Sequence, residues 1–102
     1  MYILITAANT SQAYKLKNSL DADKVLLGEY MELPGLLIQS GSILKLPDPG
    51  NSSYTHEILS LCLDKDISTV YPLRKEEKLL LLNARQLFFE YNIDIQIGDA
   101  EI

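Results

Sequence analysis

The chain has 102 residues, of which 47% are hydrophobic and 23% are charged, a length and balance typical of one globular domain with a single core. Its formal net charge is −5, and an acidic chain without a cluster of lysines or arginines is unsuited to bind nucleic acid or an anionic membrane. With one cysteine, and with no apolar run near the ~20 residues of a membrane-spanning helix, the protein is expected to be cytoplasmic.

The chain begins with a strand, a tight turn and a helix. Residues 2–6 (YILIT) are an apolar, strand-forming run, and the small polar turn 7–11 (AANTS) follows them. Asn9 is the expected N-cap of the helix. The apolar residues of the helix then recur at helical spacing, at Ala13, Leu16 and Leu20. A strand, turn and helix at the N-terminus is typical of a doubly wound α/β domain, in which ligands bind at the carboxyl ends of the strands.

The remaining chain alternates in the same way. Four further runs have the composition of strands, at residues 24–27, 43–46, 69–72 and 93–97. Two further helices are predicted, at residues 54–65 and 75–91, and the irregular segment 28–41 is expected to be a loop. Right-handed crossovers around a central first strand then predict a three-layer, Rossmann-like open sheet of about five parallel strands in the order 3-2-1-4-5, with about three helices. Residues 1–102 form one domain in this prediction.

The third predicted helix has more apolar residues than one face can bury. The stripe expected to pack on the sheet contains Leu80, Ala84, Leu87, Phe88 and Tyr91. Leu82 and Phe89 lie roughly 180° from that stripe and are surrounded by polar side chains. We therefore expect them to be interface residues, in contact with a second copy or with another domain. The alternative is that the 28–41 loop covers them.

Two segments lie where such a sheet binds ligands. Ala8, Asn9, Thr10 and Ser11 precede the first helix, whose free backbone N–H groups suit an anion. This turn lacks the glycines of a dinucleotide-binding loop or a P-loop, so a simple capping turn is the competing interpretation.

The second segment follows the fourth strand. Arg74 and Glu76 are its ligand-binding candidates. The alternative is an ordinary charged first helical turn, because acidic residues there interact favourably with the helix dipole.

The other reactive side chains form no recognisable catalytic group. His56 is the only histidine and has no second histidine or cysteine at a metal-ligand spacing. Cys62 lies on the apolar face of the second helix and is expected to be a buried structural residue. We expect neither a catalytic residue nor a metal ligand.

Four segments recur in an order that is typical of one family. They are YILITAANT from Tyr2, LKLP from Leu44, DISTVYPL from Asp66 with Glu76 after it, and LFFEYNI from Leu87. In order and spacing they resemble the N-terminal pre-ATP-grasp domain of carboxylate–amine ligases that are similar to the carbamoyl-phosphate synthase large subunit. The resemblance covers nearly the whole chain. It implies a Rossmann-like domain whose loops, here 7–11 and 73–76, face the substrate beside an ATP-grasp domain that holds ATP and magnesium.

The chain departs from that family in two ways. Relatives often have an acidic pair after the proline, whereas Lys75 stands at the first position here, so the implied carboxylate role rests on Glu76. The sequence ends at Ile102, where the ATP-grasp domain would begin, so no cofactor is expected in this chain. The first hypothesis is a non-catalytic domain that works with an ATP-grasp domain in cis or in trans. The alternatives are a stand-alone Rossmann-like module that binds a small anionic metabolite, and a protein with a role in assembly only, such as a homodimer.

Overall fold

One parallel sheet with helices on both faces forms the protein. The computed structural model describes residues 1–20, 24–32 and 43–97. The strands are β1 (Tyr2–Ile5), β2 (Val25–Glu29), β3 (Ile43–Lys45), β4 (Ile67–Tyr71) and β5 (Asp94–Ile95). The helices are α1 (Ser11–Ser19), α2 (Tyr54–Asp64), α3 (Lys75–Asn83) and α4 (Arg85–Glu90). The strand order is β3-β2-β1-β4-β5, which confirms the predicted Rossmann-like topology.

The central position of β1 explains its continuous apolar sequence. Leu4 is paired with Leu26 of β2 on one side and with Val70 of β4 on the other. Leu4 and Ile5 are both fully buried, because successive side chains point to opposite faces and helices cover each face. A strand buried on both faces cannot alternate between apolar and polar residues.

The two faces have separate cores. On one face α1 packs through Ala13 against Ile5 and Leu27. On the other face a larger cluster joins the sheet to α2, α3 and α4, and its members include Leu4, Val70, Ile95, Tyr54, Ile58, Leu81 and Phe88. Helices on both faces give the three layers that right-handed crossovers predict. None of the helices in the described ranges is long and apolar enough to cross a bilayer.

The predicted third helix is two helices that meet at Ala84. The Ala84 N–H donates to the carbonyl of Leu81, a bond of the tighter 3₁₀ type, and the weak helix former Asn83 precedes it. The fully buried residues of these two helices are Glu77, Leu81 and Phe88. The predicted stripe is largely confirmed, because Phe88 is buried and Leu80, Ala84 and Leu87 are partly buried and pack against the core. It is wrong at Tyr91, which is exposed, and it left out the buried Leu81.

Smaller differences concern the ends of elements. Thr10, not Asn9, is the N-cap of α1, and its side chain accepts from the backbone N–H of Ala13. Strand β2 continues to Glu29, so the predicted loop 28–41 begins inside a strand, and its part from residue 33 onward lies outside the described residues. Strand β5 is at the edge of the sheet, as expected, and is two residues long.

Candidate functional site

The carboxyl ends of three neighbouring strands bring a buried polar cluster together. Thr6 follows β1, Glu29 ends β2, and Arg74 follows β4; all three are buried. After β1 the chain continues to β2 on one side of the sheet, and after β4 it continues to β5 on the other side. This is the topological switch point, where open α/β sheets bind their ligands.

Arg74 is the hub of the cluster. Its Nη2 atom donates to Glu29 Oε1 at 2.9 Å and to Asn9 Oδ1 at 2.7 Å. The guanidinium carbon lies 5.1 Å from the centre of the Tyr30 ring, within the range of a cation–π contact. One side chain therefore ties the turn after β1, the end of β2 and the segment after β4.

The buried carboxylate of Glu29 accepts hydrogen bonds from two backbone N–H groups, one of them in the turn before α1. Its Oε1 atom accepts from the backbone N–H of Asn9 at 3.3 Å, and its Oε2 atom accepts from that of Met31 at 2.9 Å. A helix N-terminus is a ready-made anion site, and here a carboxylate of the same chain occupies the approach to it.

The turn itself is compact and contains no glycine. Ala7 adopts a left-handed conformation, with φ of 57°, and the Ala8 N–H donates to the carbonyl of Gly28. The Thr10 hydroxyl donates to the carbonyl of Ala7 at 2.8 Å and also caps α1. Of the four predicted turn residues, Asn9 joins the cluster, Ala8 and Thr10 hold the turn together, and Ser11 is exposed beside Gln12.

A second buried carboxyl group lies behind Arg74. Glu77 is fully buried, and the Tyr54 hydroxyl donates to its Oε2 atom at 2.6 Å. Burial raises the pKa of the Glu77 carboxyl above its ordinary value of 4.5. The Tyr54 hydrogen bond, the nearby Thr6 hydroxyl and the charge of Arg74 oppose this shift. Burial and the neighbouring Glu77 also raise the pKa of Tyr54, so the phenol keeps its proton and remains the donor.

Two atoms of this cluster have no hydrogen-bond partner among the described residues. They are Arg74 Nε and Glu77 Oε1, a donor and an acceptor. Thr6 lies close to Glu77, and its hydroxyl oxygen accepts from the backbone N–H of Leu73, which leaves the hydroxyl proton available to the carboxyl. The cluster therefore keeps some hydrogen-bonding capacity at the switch point.

The sequence predicted one half of this cluster and missed the other. Arg74 and Asn9 are both candidates, and the structure joins them, whereas Glu76 is exposed and has no hydrogen bond to the cluster within the described part of the chain. Glu29 and Glu77 were missed. A signal existed for each: Glu29 ends a strand at the ligand-binding edge, and Glu77 lies one turn before Leu81, on the buried face of α3.

The cluster can orient groups, but it does not contain the parts of a catalytic centre. Glu77 carries the raised pKa that general acids often have, yet it is fully buried and bonded to Tyr54, out of reach of a solvent-borne substrate. Cys62 is also buried, which raises the pKa of its thiol to about 12 and keeps it protonated. In the described residues no three histidine, cysteine or acidic side chains are grouped as metal ligands.

Two surface grooves lie away from the cluster. One, of about 550 Å³, lies between the end of β3 and α2 and includes the exposed His56. The other, of about 570 Å³, is formed by α4, the end of α3 and β5, and includes the two predicted interface residues Leu82 and Phe89.

The chain matches no protein-family model, and no curated protein has a significantly similar sequence. The resemblance to pre-ATP-grasp domains therefore stays a prediction.

Proposed function

We propose that this chain is a non-catalytic domain similar to the N-terminal domain of an ATP-grasp carboxylate–amine ligase. Its role in this proposal is to hold two loops at the substrate side of a partner ATP-grasp domain, in cis or in trans. The observation that carries the proposal is the bond of 2.7 Å from Arg74 to Asn9. It joins the two segments, 7–11 and 73–76, that the resemblance implies for contact with the substrate.

The charges of the cluster favour positioning over binding of a free anion. Arg74 is paired with Glu29, and Glu29 also accepts two backbone N–H groups. Charges that are paired and buried in this way are fixed in orientation before any ligand arrives. Such a cluster can hold loops in the geometry that a substrate needs, while ATP and magnesium would belong to the partner domain.

Reconstitution with an ATP-grasp partner tests the proposal. The partner is the ATP-grasp domain encoded in the same reading frame or beside it, and the measurement is ADP release with sets of carboxylates and amines. We expect release only when both parts are present, and we expect Asn9→Ala to raise KM for the substrate. Ser11→Ala is the matched control, because Ser11 is in the same turn but is exposed and outside the cluster. Substrate-dependent ADP release by this chain alone, or an Asn9→Ala variant as active as the control, would contradict the proposal.

A second candidate function is a stand-alone module for a small anionic metabolite. The observation that favours it is the Nε atom of Arg74, which has no hydrogen-bond partner among the described residues. A ligand that binds only the folded state raises the melting temperature. We would therefore compare the shifts that carboxylates and phosphate esters produce in the wild type, Arg74→Gln and Lys75→Gln. Loss of a shift in Arg74→Gln alone would support this function over the first.

A further inference from the structure

We infer that Glu29 is an internal anion that closes a carboxylate-binding site of this protein, so that a free carboxylate binds there only by displacing the Glu29 side chain. The site, the Arg74 cradle, is formed by the Arg74 guanidinium and the backbone N–H groups of Asn9 and Met31. The inference concerns access to the cradle and needs no ATP-grasp partner, so it can be tested apart from the proposed function.

The Arg74 cradle directs three donors at one carboxylate. Glu29 Oε1 accepts from Arg74 Nη2 at 2.9 Å and from the Asn9 N–H at 3.3 Å. Glu29 Oε2 accepts from the Met31 N–H at 2.9 Å. Hydrogen bonds from a guanidinium to a carboxylate are roughly twice as strong as bonds between neutral groups. Because the donors come from the turn before α1, the end of β2 and the segment after β4, they form a site that one helix N-terminus alone would not provide.

Glu29 uses only part of what Arg74 offers. A guanidinium binds a carboxylate best through two parallel N–H···O bonds from neighbouring nitrogen atoms. Nε lies beside Nη2 on one edge of the group, and it has no hydrogen-bond partner among the described residues, although Arg74 is only 9% exposed. The Glu29 side chain is attached to the last residue of β2, and its two oxygen atoms already accept other bonds. A carboxylate that is not attached to a strand can take both Nη2 and Nε.

The balance of charge makes the two carboxylates alternatives. The closed cradle has little net charge, because Arg74 and Glu29 form an ion pair. Displacement of Glu29 leaves a nearly buried guanidinium without its counter-charge, which is unfavourable. A free carboxylate of similar size restores the pair. The cradle therefore holds either the carboxylate of its own chain or an external one, and the contact with Glu29 is autoinhibitory.

The segment that carries Glu29 is held from outside by a lysine. The exposed Lys45 donates through Nζ to the carbonyls of Tyr30 at 2.7 Å and Met31 at 3.1 Å. The Tyr30 ring of the same segment lies against the guanidinium of Arg74. We expect loss of the two lysine bonds to loosen this segment and to open the cradle more often. The apparent affinity for a free carboxylate rises in proportion to the fraction of open molecules.

Chemical rescue of Glu29→Ala tests the inference. This variant removes the internal carboxylate and leaves space for an external one. Sodium formate should therefore raise its melting temperature by at least about 4 °C over sodium chloride at equal ionic strength, measured by circular dichroism. Glu29→Gln is the matched control, because its amide fills the same space without a charge. We expect no such difference between the two salts in Glu29→Gln or in the wild type.

A second variant tests the inference even where Glu29→Ala does not fold. Lys45→Met removes the amine that holds the segment, and it should fold because Lys45 is exposed. The measurement is the shift of the Asn9 backbone amide signal in NMR spectra as formate is added. We expect an apparent Kd for formate at least about 5-fold lower than in the wild type, from the loss of two hydrogen bonds. Lys65→Met is the control, since Lys65 is an exposed lysine at the end of α2.

The results of the two variants decide the inference. A formate effect that is confined to Glu29→Ala supports it, and so does recovery of the helical signal when formate is added to a Glu29→Ala variant that is unfolded in chloride. An effect no larger in Glu29→Ala than in Glu29→Gln overturns it. If Glu29→Ala stays unfolded in formate, a Lys45→Met variant that binds formate no better than Lys65→Met overturns it.

Discussion

The Arg74–Glu29 ion pair is almost inaccessible to solvent, with side chains 10% and 0% exposed. Removal of one partner leaves the other as an uncompensated buried charge, which costs about 3–5 kcal/mol. We therefore expect Arg74→Leu to lower the free energy of unfolding by about that amount, measured by urea denaturation. The Glu29→Leu, Arg74→Leu double variant should lose much less than the sum of the single losses, because it leaves neither charge unpaired.

The neighbouring Lys75 provides the control for this prediction. Lys75 is exposed, so Lys75→Leu should change the free energy of unfolding by no more than about 0.5 kcal/mol. The ion pair would not be important for stability if Arg74→Leu cost as little as Lys75→Leu.

Glu77 makes the stability of the protein depend on pH. Burial raises the pKa of its carboxyl in the folded state above the ordinary 4.5, so the folded state holds this proton more tightly than the unfolded state does. The stabilising contribution is complete below pH 4.5 and is lost as pH rises through the raised pKa. Glu77→Gln keeps an acceptor for Tyr54 and removes the titration. We expect the stability of the wild type to fall relative to this variant as pH rises from acid towards neutral.

The measurement for Glu77 is the urea midpoint at a series of pH values. The difference between the wild type and Glu77→Gln isolates the one carboxyl from the other titrating groups. Glu76→Gln is the control, since Glu76 is the exposed residue beside it. If the two variants have the same pH profile, the buried carboxyl does not titrate as expected.

Strand β2 lies very close to Leu46, the buried residue that follows β3, because β2 has a glycine, Gly28, at the point of contact. A Cβ atom at Gly28 would lie 2.8 Å from Leu46 Cδ2 and 2.9 Å from its Cγ, and Leu46 is buried. We expect Gly28→Ala to lower the free energy of unfolding by about 1–3 kcal/mol through overpacking. Adding Leu46→Ala removes the clashing atoms, so the double variant should lose less than the sum of the two single losses.

Gly50 is the matched control for overpacking. A Cβ atom there would lie 3.3 Å from the carboxylate of Asp48, whose exposed side chain can move away. Gly50→Ala should therefore be nearly neutral in the same thermal or urea measurement. Equal losses at Gly28 and Gly50 would show that contact with Leu46 is not the cause.

At the scale of strands and helices, the topology could be predicted from the sequence because the topology depends on repeated, local patterns. A continuous apolar run such as YILI in β1, of which Leu4 and Ile5 are buried, indicates a central strand without knowledge of its neighbours. The division of the third helix at Ala84 depends on one 3₁₀-type bond and was not predicted. The choice of Leu80 over Leu81 for the core has a related cause, since a run of four leucines leaves the phase of the helix ambiguous.

The polar cluster at the switch point could be predicted only in part, because its contacts are far apart in sequence. Arg74 meets Glu29 across 45 positions and Asn9 across 65. The general rule for parallel sheets indicates which edge carries ligand-binding residues, and it makes Asn9 and Arg74 candidates. It does not say which side chains pair, so it leaves Glu29 inside the predicted loop 28–41 and does not distinguish Glu77 from Glu76.

At the scale of the whole molecule, the polar cluster at the switch point forms only when the sheet is assembled. Its side chains come from the turn after β1, the end of β2 and the segment after β4, and these neighbour one another only when the strands are paired.

The same arrangement predicts that the purified chain does not bind ATP, with or without magnesium. The strand, turn and helix at the N-terminus would hold the phosphates in a nucleotide-binding relative of this fold, but here the turn has no glycine and Glu29 already accepts the Asn9 N–H. The nearby Arg74 is already paired with Glu29 at 2.9 Å, so the two charges largely cancel and the site offers a phosphate little net attraction. We expect no heat of binding in isothermal titration calorimetry, either for the wild type or for Thr10→Ala. Micromolar binding that is lost on changing Asn9 or Thr10 would contradict this prediction and would favour the stand-alone ligand-binding module.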